Sequence, residues 1–187
     1  MDTKTKRLVN TIDLARQLAT VQATPDAVWV SGVAVWRIEP LTGRVTTTFP
    51  IQSRPLAVGA GSVWVLGAGG AILRLDPSLG REQARIAGPP GAVALAFAGG
   101  SLWAGGSGVA PLSLLQIDPV SNHISSVTKL PGRYAANWSI ASGFGSVWLC
   151  DRRESAVASR AQALISDAAV SILAAPRLPQ TDLPRST

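Results

Sequence analysis

Residues 55–86 read PLAVGAGSVWVLGAGGAILRLDPSLGREQARI, and this stretch decides the fold. It divides into four short runs separated by turn formers: 55–59 (PLAVG), 62–66 (SVWVL), 71–75 (AILRL) and 81–86 (REQARI). Runs of this length, rich in Val, Ile, Leu and Trp and bounded by Gly, Pro and Asp, read as β-strands. Asp76-Pro77-Ser78-Leu79-Gly80 joins the last two. In such a turn the Asp side chain caps its own backbone, Pro presets φ at the first corner, and Gly takes the positive φ that closes the hairpin.

The stretch recurs outward in both directions. An apolar-Trp-apolar triplet centres on Trp29, Trp64, Trp103 and Trp148, at spacings of 35, 39 and 45 residues. A second signature runs out of phase with the first: Ile38-Glu39-Pro40-Leu41-Thr42-Gly43, Leu75-Asp76-Pro77-Ser78-Leu79-Gly80 and Ile117-Asp118-Pro119-Val120-Ser121-Asn122. A weaker copy, Asp2-Thr3-Lys4-Thr5-Lys6, opens the chain. Two signatures sharing one period of roughly forty residues mark a repeat architecture. In the third copy Asn122 stands where Gly43 and Gly80 stand, and Asn tolerates the left-handed region.

Apolarity falls along each unit. The first strands (PLAVG, GAVALAFA, WSIASG) are small and apolar, whereas the fourth (GRVTTTF, REQARI, HISSV) are polar. This gradient predicts a sheet whose first strand lies on a central axis and whose fourth faces water. Trp in the second strand points to one face and its Val neighbours to the other, so both faces need cover. Sheets stacked radially as blades supply that cover, with the Trp residues packed between neighbouring blades.

Repeats of the form P-x-x-small-x-Gly…V-W-V…I-x-R-(I/L)-D-P-x-x-G resemble those of the YVTN-type β-propellers and of the streptogramin (virginiamycin B) lyase-like propellers. The resemblance covers residues 1 to about 150. It implies a toroid, in the family of about six to seven four-stranded blades, that binds a ligand or a protein on one face. The predicted fold class is accordingly all-β, an incomplete β-propeller of about three to four four-stranded blades. Whole blades fall at about 18–50, 55–87 and 91–129, with partial ones at 5–12 (a fourth strand) and 137–150 (first and second strands).

After Asp151 the composition changes. All eighteen glycines and all ten aromatic residues lie before residue 150. The segment 151–187 is an Ala/Arg/Pro-rich tail, expected to be helical over about 154–175 and disordered beyond. Val157, Ala161, Leu164, Ile165, Ala168 and Ile172 fall on one helical stripe that could cap the array. The competing expectation is a truncated or frame-shifted piece of a larger propeller, because the repeat breaks off inside a blade.

Chemistry-bearing motifs are scarce. One histidine, His123, follows an Asp-Pro turn on an outer strand, and one cysteine, Cys150, sits in a second strand as a small hydrophobe. Streptogramin lyases are expected to use a histidine with an acid near a divalent metal, and no second histidine matches that site. No catalytic, cofactor-binding or metal-ligating residue is assigned, and no cofactor is expected. Glu39, Asp76 and Asp118 are read as turn caps, one per blade. The longest inter-blade link, Leu130–Asn137, carries Arg133 and Tyr134, the candidate partner contacts.

Seventeen Lys and Arg against eleven Asp and Glu give a net charge of +6, but the arginines are scattered. A nucleic-acid partner is not expected, because no basic stripe interleaves with aromatics. A membrane partner is not expected either: no run of eighteen apolar residues occurs, and Met1–Leu14 carries charges in place of a secretory leader's apolar core. Cellular location is left open. The reading that results is a non-catalytic propeller module or fragment that binds a protein or small-molecule ligand on a propeller face, with self-association through exposed blade edges as a further expectation. The alternative is a fragment of a streptogramin lyase-like C–O lyase whose active site lies outside this chain.

Overall fold

The computed structural model describes residues 11–14, 17–88, 91–106, 113–129, 138–143, 146–152 and 159–163. Within them the chain forms four antiparallel meanders. The first contains β1 (Thr20–Ala23), β2 (Val28–Ser31), β3 (Val35–Ile38) and β4 (Val45–Phe49). The second contains β5 (Leu56–Gly59), β6 (Ser62–Leu66), β7 (Ile72–Asp76) and β8 (Arg81–Ile86). The third contains β9 (Ala92–Ala98), β10 (Ser101–Gly106), β11 (Ser113–Asp118) and β12 (His123–Lys129). The fourth has three described strands, β13 (Trp138–Gly143), β14 (Ser146–Arg152) and β15 (Ser159–Ala163).

Each Glu/Asp-Pro turn closes as its residues dictate. Gly43, Gly80 and Asn122 take φ of 70°, 65° and 58°, and each donates its backbone N–H to the carbonyl of the acidic residue four positions earlier. Asp76 Oδ1 accepts from the N–H groups of Ser78 and Leu79, both at 2.8 Å. Asp118 Oδ1 accepts from Val120 N, and Glu39 accepts from Leu41 N and Thr42 N through its two oxygens.

Register explains how the sheets stack. Trp29 lies opposite Arg37, Trp64 opposite Arg74, and Trp103 opposite Gln116. The Trp-bearing face of each sheet meets the aliphatic face of the next. Trp29 and Phe49 of the first sheet pack with Leu56, Val63, Val65, Leu73 and Leu75 of the second. Trp64, Leu66, Ile72 and Ile86 of the second pack with Leu95, Leu102, Leu115 and Ile117 of the third. The opposite face of the first sheet buries Val30, Trp36 and Ile38, with Leu14 packed against them.

First strands lie innermost, where β1 contacts β5, β5 contacts β9, and β9 contacts β13. The fourth strands β4, β8 and β12 are mostly exposed. One departure from the expected strands concerns the tail. Ser159–Ala163, inside the stretch expected to be helical, forms β15 and pairs with β14 from Trp148↔Ala163 to Arg152↔Ser159. The open backbone edge of β14 offers these residues a full ladder of partners, and that outweighs an Ala-rich helical periodicity. The remainder of 154–175, and residues 5–10 of the N-terminal strand match, lie outside the described residues. No helix among the described residues is long and apolar enough to cross a membrane.

Candidate functional site

The four first strands converge on a cavity of about 740 Å³. Every described sheet supplies part of its wall: Thr20 from β1, Leu56 from β5, Leu95 from β9 and Ile140 from β13. The small apolar composition of these strands permits the approach, since bulkier residues would fill the space. The link between β4 and β5 completes the wall with Gln52, Arg54 and Pro55.

Hydroxyl groups hold that link in place. Ser53, buried at 3% exposure, donates from Oγ to Pro55 O at 2.8 Å and accepts from Leu66 N at 3.0 Å. Its own N–H donates to Gly32 O at 3.0 Å. Arg54 O accepts from Thr20 Oγ1 at 2.9 Å and from Ser31 Oγ at 2.8 Å. Gln22 reaches across the same seam, its Oε1 accepting from Val58 N at 3.1 Å. The backbone of the link is thereby tied to both the first and the second sheet, while Arg54 as a residue remains exposed.

Among the described residues Arg54 is the only ionisable one lining the cavity; the other described wall groups are aliphatic side chains, glycine, proline, threonine and glutamine amides. Among the described residues no carboxylate pairs with it. Its guanidinium brings a positive charge and five potential donors to the cavity wall. This arrangement can bind and orient an anionic or amide-rich group.

The residues singled out by sequence lie elsewhere. Glu39, Asp76 and Asp118 each sit at a turn between the third and fourth strands of a separate sheet and do not converge. Their carboxyl groups are held below the ordinary range by local hydrogen bonds. For Glu39 these come from the Thr42 side chain and the Leu41 and Thr42 amides. For Asp76 they come from the Leu79 and Ser78 amides, and for Asp118 from the Val120 amide and Ser121. His123 begins the outer strand β12, at the edge of its sheet remote from the cavity-lining β9. Cys150 lies on β14, and Arg133 and Tyr134 fall outside the described residues. Among the described residues no three His, Cys, Asp or Glu side chains are grouped to hold a metal ion.

Several solved structures share this arrangement. Hydrazine synthase from Kuenenia stuttgartiensis matches with a TM-score of 0.64 at 13% identity, over 84% of this chain and 49% of that one. BamB from Moraxella catarrhalis matches at 0.60 and 12% identity, over 71% of this chain and 40% of that one. Sqt1 from Saccharomyces cerevisiae matches at 0.59 and 10% identity, over 72% and 42%. The fold is an incomplete β-propeller. At these identities the likeness concerns the fold alone, and the propeller sheets of this chain span about half the length of those structures or less. No protein-family model and no curated protein matches the chain.

Within the propeller, the cavity is an axial one, and sequence reading missed it. Arg54 is one of the arginines scattered along the sequence. Its position immediately before an axis strand, in Ser53-Arg54-Pro55, was the available signal. A charge that precedes the innermost strand of a radial sheet faces the axis more readily than the outer surface.

Proposed function

We propose that this chain is a non-catalytic propeller module whose axial cavity receives a peptide segment of a partner protein. The observation that carries the reading is the convergence of all four described sheets on one cavity whose described walls are aliphatic and amide, with Arg54 as their one charge. Mostly apolar concavities with a few placed polar groups are where ligands bind, and this one lies within the usual size range of about 300–1,000 Å³. Gln17, Gln52 and Thr20 supply side-chain donors and acceptors of the kind that a peptide backbone requires.

The V-W-V and D-P-x-x-G signatures favour YVTN-type repeats within the propeller class, and the fold by itself selects no activity. The streptogramin lyase-like alternative draws on the same repeats. It predicts C–O bond cleavage of a streptogramin by this chain when joined to further blades, and the binding module predicts none.

Selection from a displayed random peptide library on the immobilised protein tests the reading. Val33 lines the cavity at 39% exposure, so Val33→Trp narrows the cavity without entering the core. Peptides enriched on the parent protein and lost on Val33→Trp support the axial site. Enrichment unchanged by that substitution, or none at all, overturns it.

A further inference from the structure

We infer that the partner segment is acidic, and that Arg54 anchors one of its carboxylates in the axial cavity. This rests on the peptide-binding reading above and adds the chemistry of the ligand. Three observations carry it. Arg54 is the only ionisable residue in the wall among the described residues, and none of them neutralises it. Its backbone carbonyl is clamped by Thr20 Oγ1 and Ser31 Oγ, which fixes the root of the side chain relative to two sheets. Three other arginines, Arg37, Arg74 and Arg85, are by contrast already engaged within or between the sheets. Arg37 donates to Asp26 and Thr46, and Arg74 donates to Ser62, Pro119 and Asn122. Arg85 is paired with Glu82 at 2.8 Å.

A guanidinium with a fixed root and no partner, in a recess with apolar and amide walls, is complementary to a carboxylate. Charge-assisted, bidentate hydrogen bonds of this kind are among the stronger polar contacts. The net charge of +6 adds long-range attraction for an acidic segment. The aliphatic wall residues Leu56, Leu95 and Ile140 select apolar residues beside the acid. The inferred ligand is therefore a short segment with one carboxylate flanked by aliphatic side chains.

Fluorescence anisotropy with four labelled hexapeptide pools tests this on the full chain. The pools carry a fixed Asp, Glu, Gln or Lys between randomised aliphatic positions, each made with an amidated and a free C-terminus. The Asp and Glu pools are expected to bind about tenfold tighter than Gln or Lys. That preference should weaken as salt rises. Tighter binding of all four pools with free than with amidated C-termini would assign the carboxylate to the chain end, and an Asp/Glu preference that persists with amidated ends to the side chain; both support the anchor. Arg54→Gln should abolish the preference and Arg54→Glu should invert it toward Lys. Because the Arg54 side chain makes no described hydrogen bond, both variants should keep the parent melting temperature, which is measured in parallel. Equal binding of all pools, the same with amidated and free C-termini and lost on Val33→Trp, would overturn the acidic ligand and leave the cavity reading standing. Binding by no pool would overturn both.

Discussion

Ala60 and Gly61 form the turn between β5 and β6, and both have positive φ, 49° and 63°. Gly61 accepts this freely, whereas Ala60 carries a Cβ into the left-handed region. The same corner of the third sheet has Gly99 and Gly100. Ala60→Gly should therefore raise stability by about 0.5–1 kcal/mol, the strain relieved less the entropy glycine adds to the unfolded chain. Chemical denaturation measures it, and a loss of stability would show that Ala60 is unstrained. Arg74 is a second residue whose surroundings set a ranking. Its Nε donates to Ser62 Oγ at 2.8 Å, its Nη1 to Pro119 O and to Asn122 Oδ1, and its guanidinium lies 5.2 Å from the Trp64 ring centre. These contacts tie the second sheet to the turn of the third. Arg37, its counterpart one sheet earlier, holds only its own sheet, and its partner Asp26 has a side chain 76% exposed. Arg74→Ala should cost about 2–3 kcal/mol and Arg37→Ala about 1 kcal/mol or less, compared by urea unfolding. Asn122 also acquires a reason here: it tolerates φ of 58° and supplies an acceptor to Arg74, which glycine could not do.

The repeated element is the hairpin of third and fourth strands, and its turn was fully legible. Asp or Glu, Pro and Gly or Asn occupy the positions that their backbone chemistry requires, so the residues alone located Glu39–Gly43, Asp76–Gly80 and Asp118–Asn122. The bulge that follows was not legible. In all three sheets the register slips by one residue, leaving Thr46, Gln83 and Ser125 without an opposite neighbour. Thr46 Oγ1 donates to Arg37 O and Ser125 Oγ to Gln116 O, both at 3.2 Å. In the second sheet Gln83 Nε2 donates to Asp76 Oδ2 at 3.0 Å. Three different side chains serve one irregularity, so no residue pattern announces it. β15 was missed for another reason: its pairing depends on an edge elsewhere in the chain, which local periodicity does not record. The turns also predict an acid response. Glu39, Asp76 and Asp118 all have folded-state pKa values lowered by the hydrogen bonds of their turns. Their contribution is present above the unfolded carboxylate pKa and is lost as pH falls through the lower folded values. Melting temperature should hold down to about pH 5 and fall below about pH 4. Asp76→Ala combined with Asp118→Ala should lower the plateau and flatten that fall, and an unchanged fall would place the acid sensitivity in other groups.

Across the whole molecule, cohesion comes from seams between sheets, each built from unlike faces. Trp64 is fully buried in the second seam, and β9 leans on β5 where Phe97 covers Gly59. A Cβ at Gly59 would lie 2.1 Å from the Phe97 ring, so the ring must move for any side chain there. Gly59→Val should cost about 1–3 kcal/mol, and Phe97→Ala in the same chain should recover part of it. Equal losses that simply add would show that the two residues do not share a site. The radial stacking was legible because apolarity on both faces of a strand demands cover on both sides. The axial cavity was not, because it depends on how far apart the first strands finally rest. Arg54 comes to line it only through that spacing.

The Gly59–Phe97 fit has a consequence for how such a chain can change over generations. Tandem repeats in a gene recombine with one another, and interchangeable units are gained and lost readily. These units are not interchangeable. The position of Gly59 in the third repeat is held by Ala98, since Trp64 Nε1 and Trp103 Nε1 donate to the carbonyls of Gly59 and Ala98 respectively. A duplicated third repeat would set a second Phe97 ring against the methyl group of Ala98. The third repeat is therefore keyed to the second, and a crossing-over that duplicated the third would be punished at the junction it created.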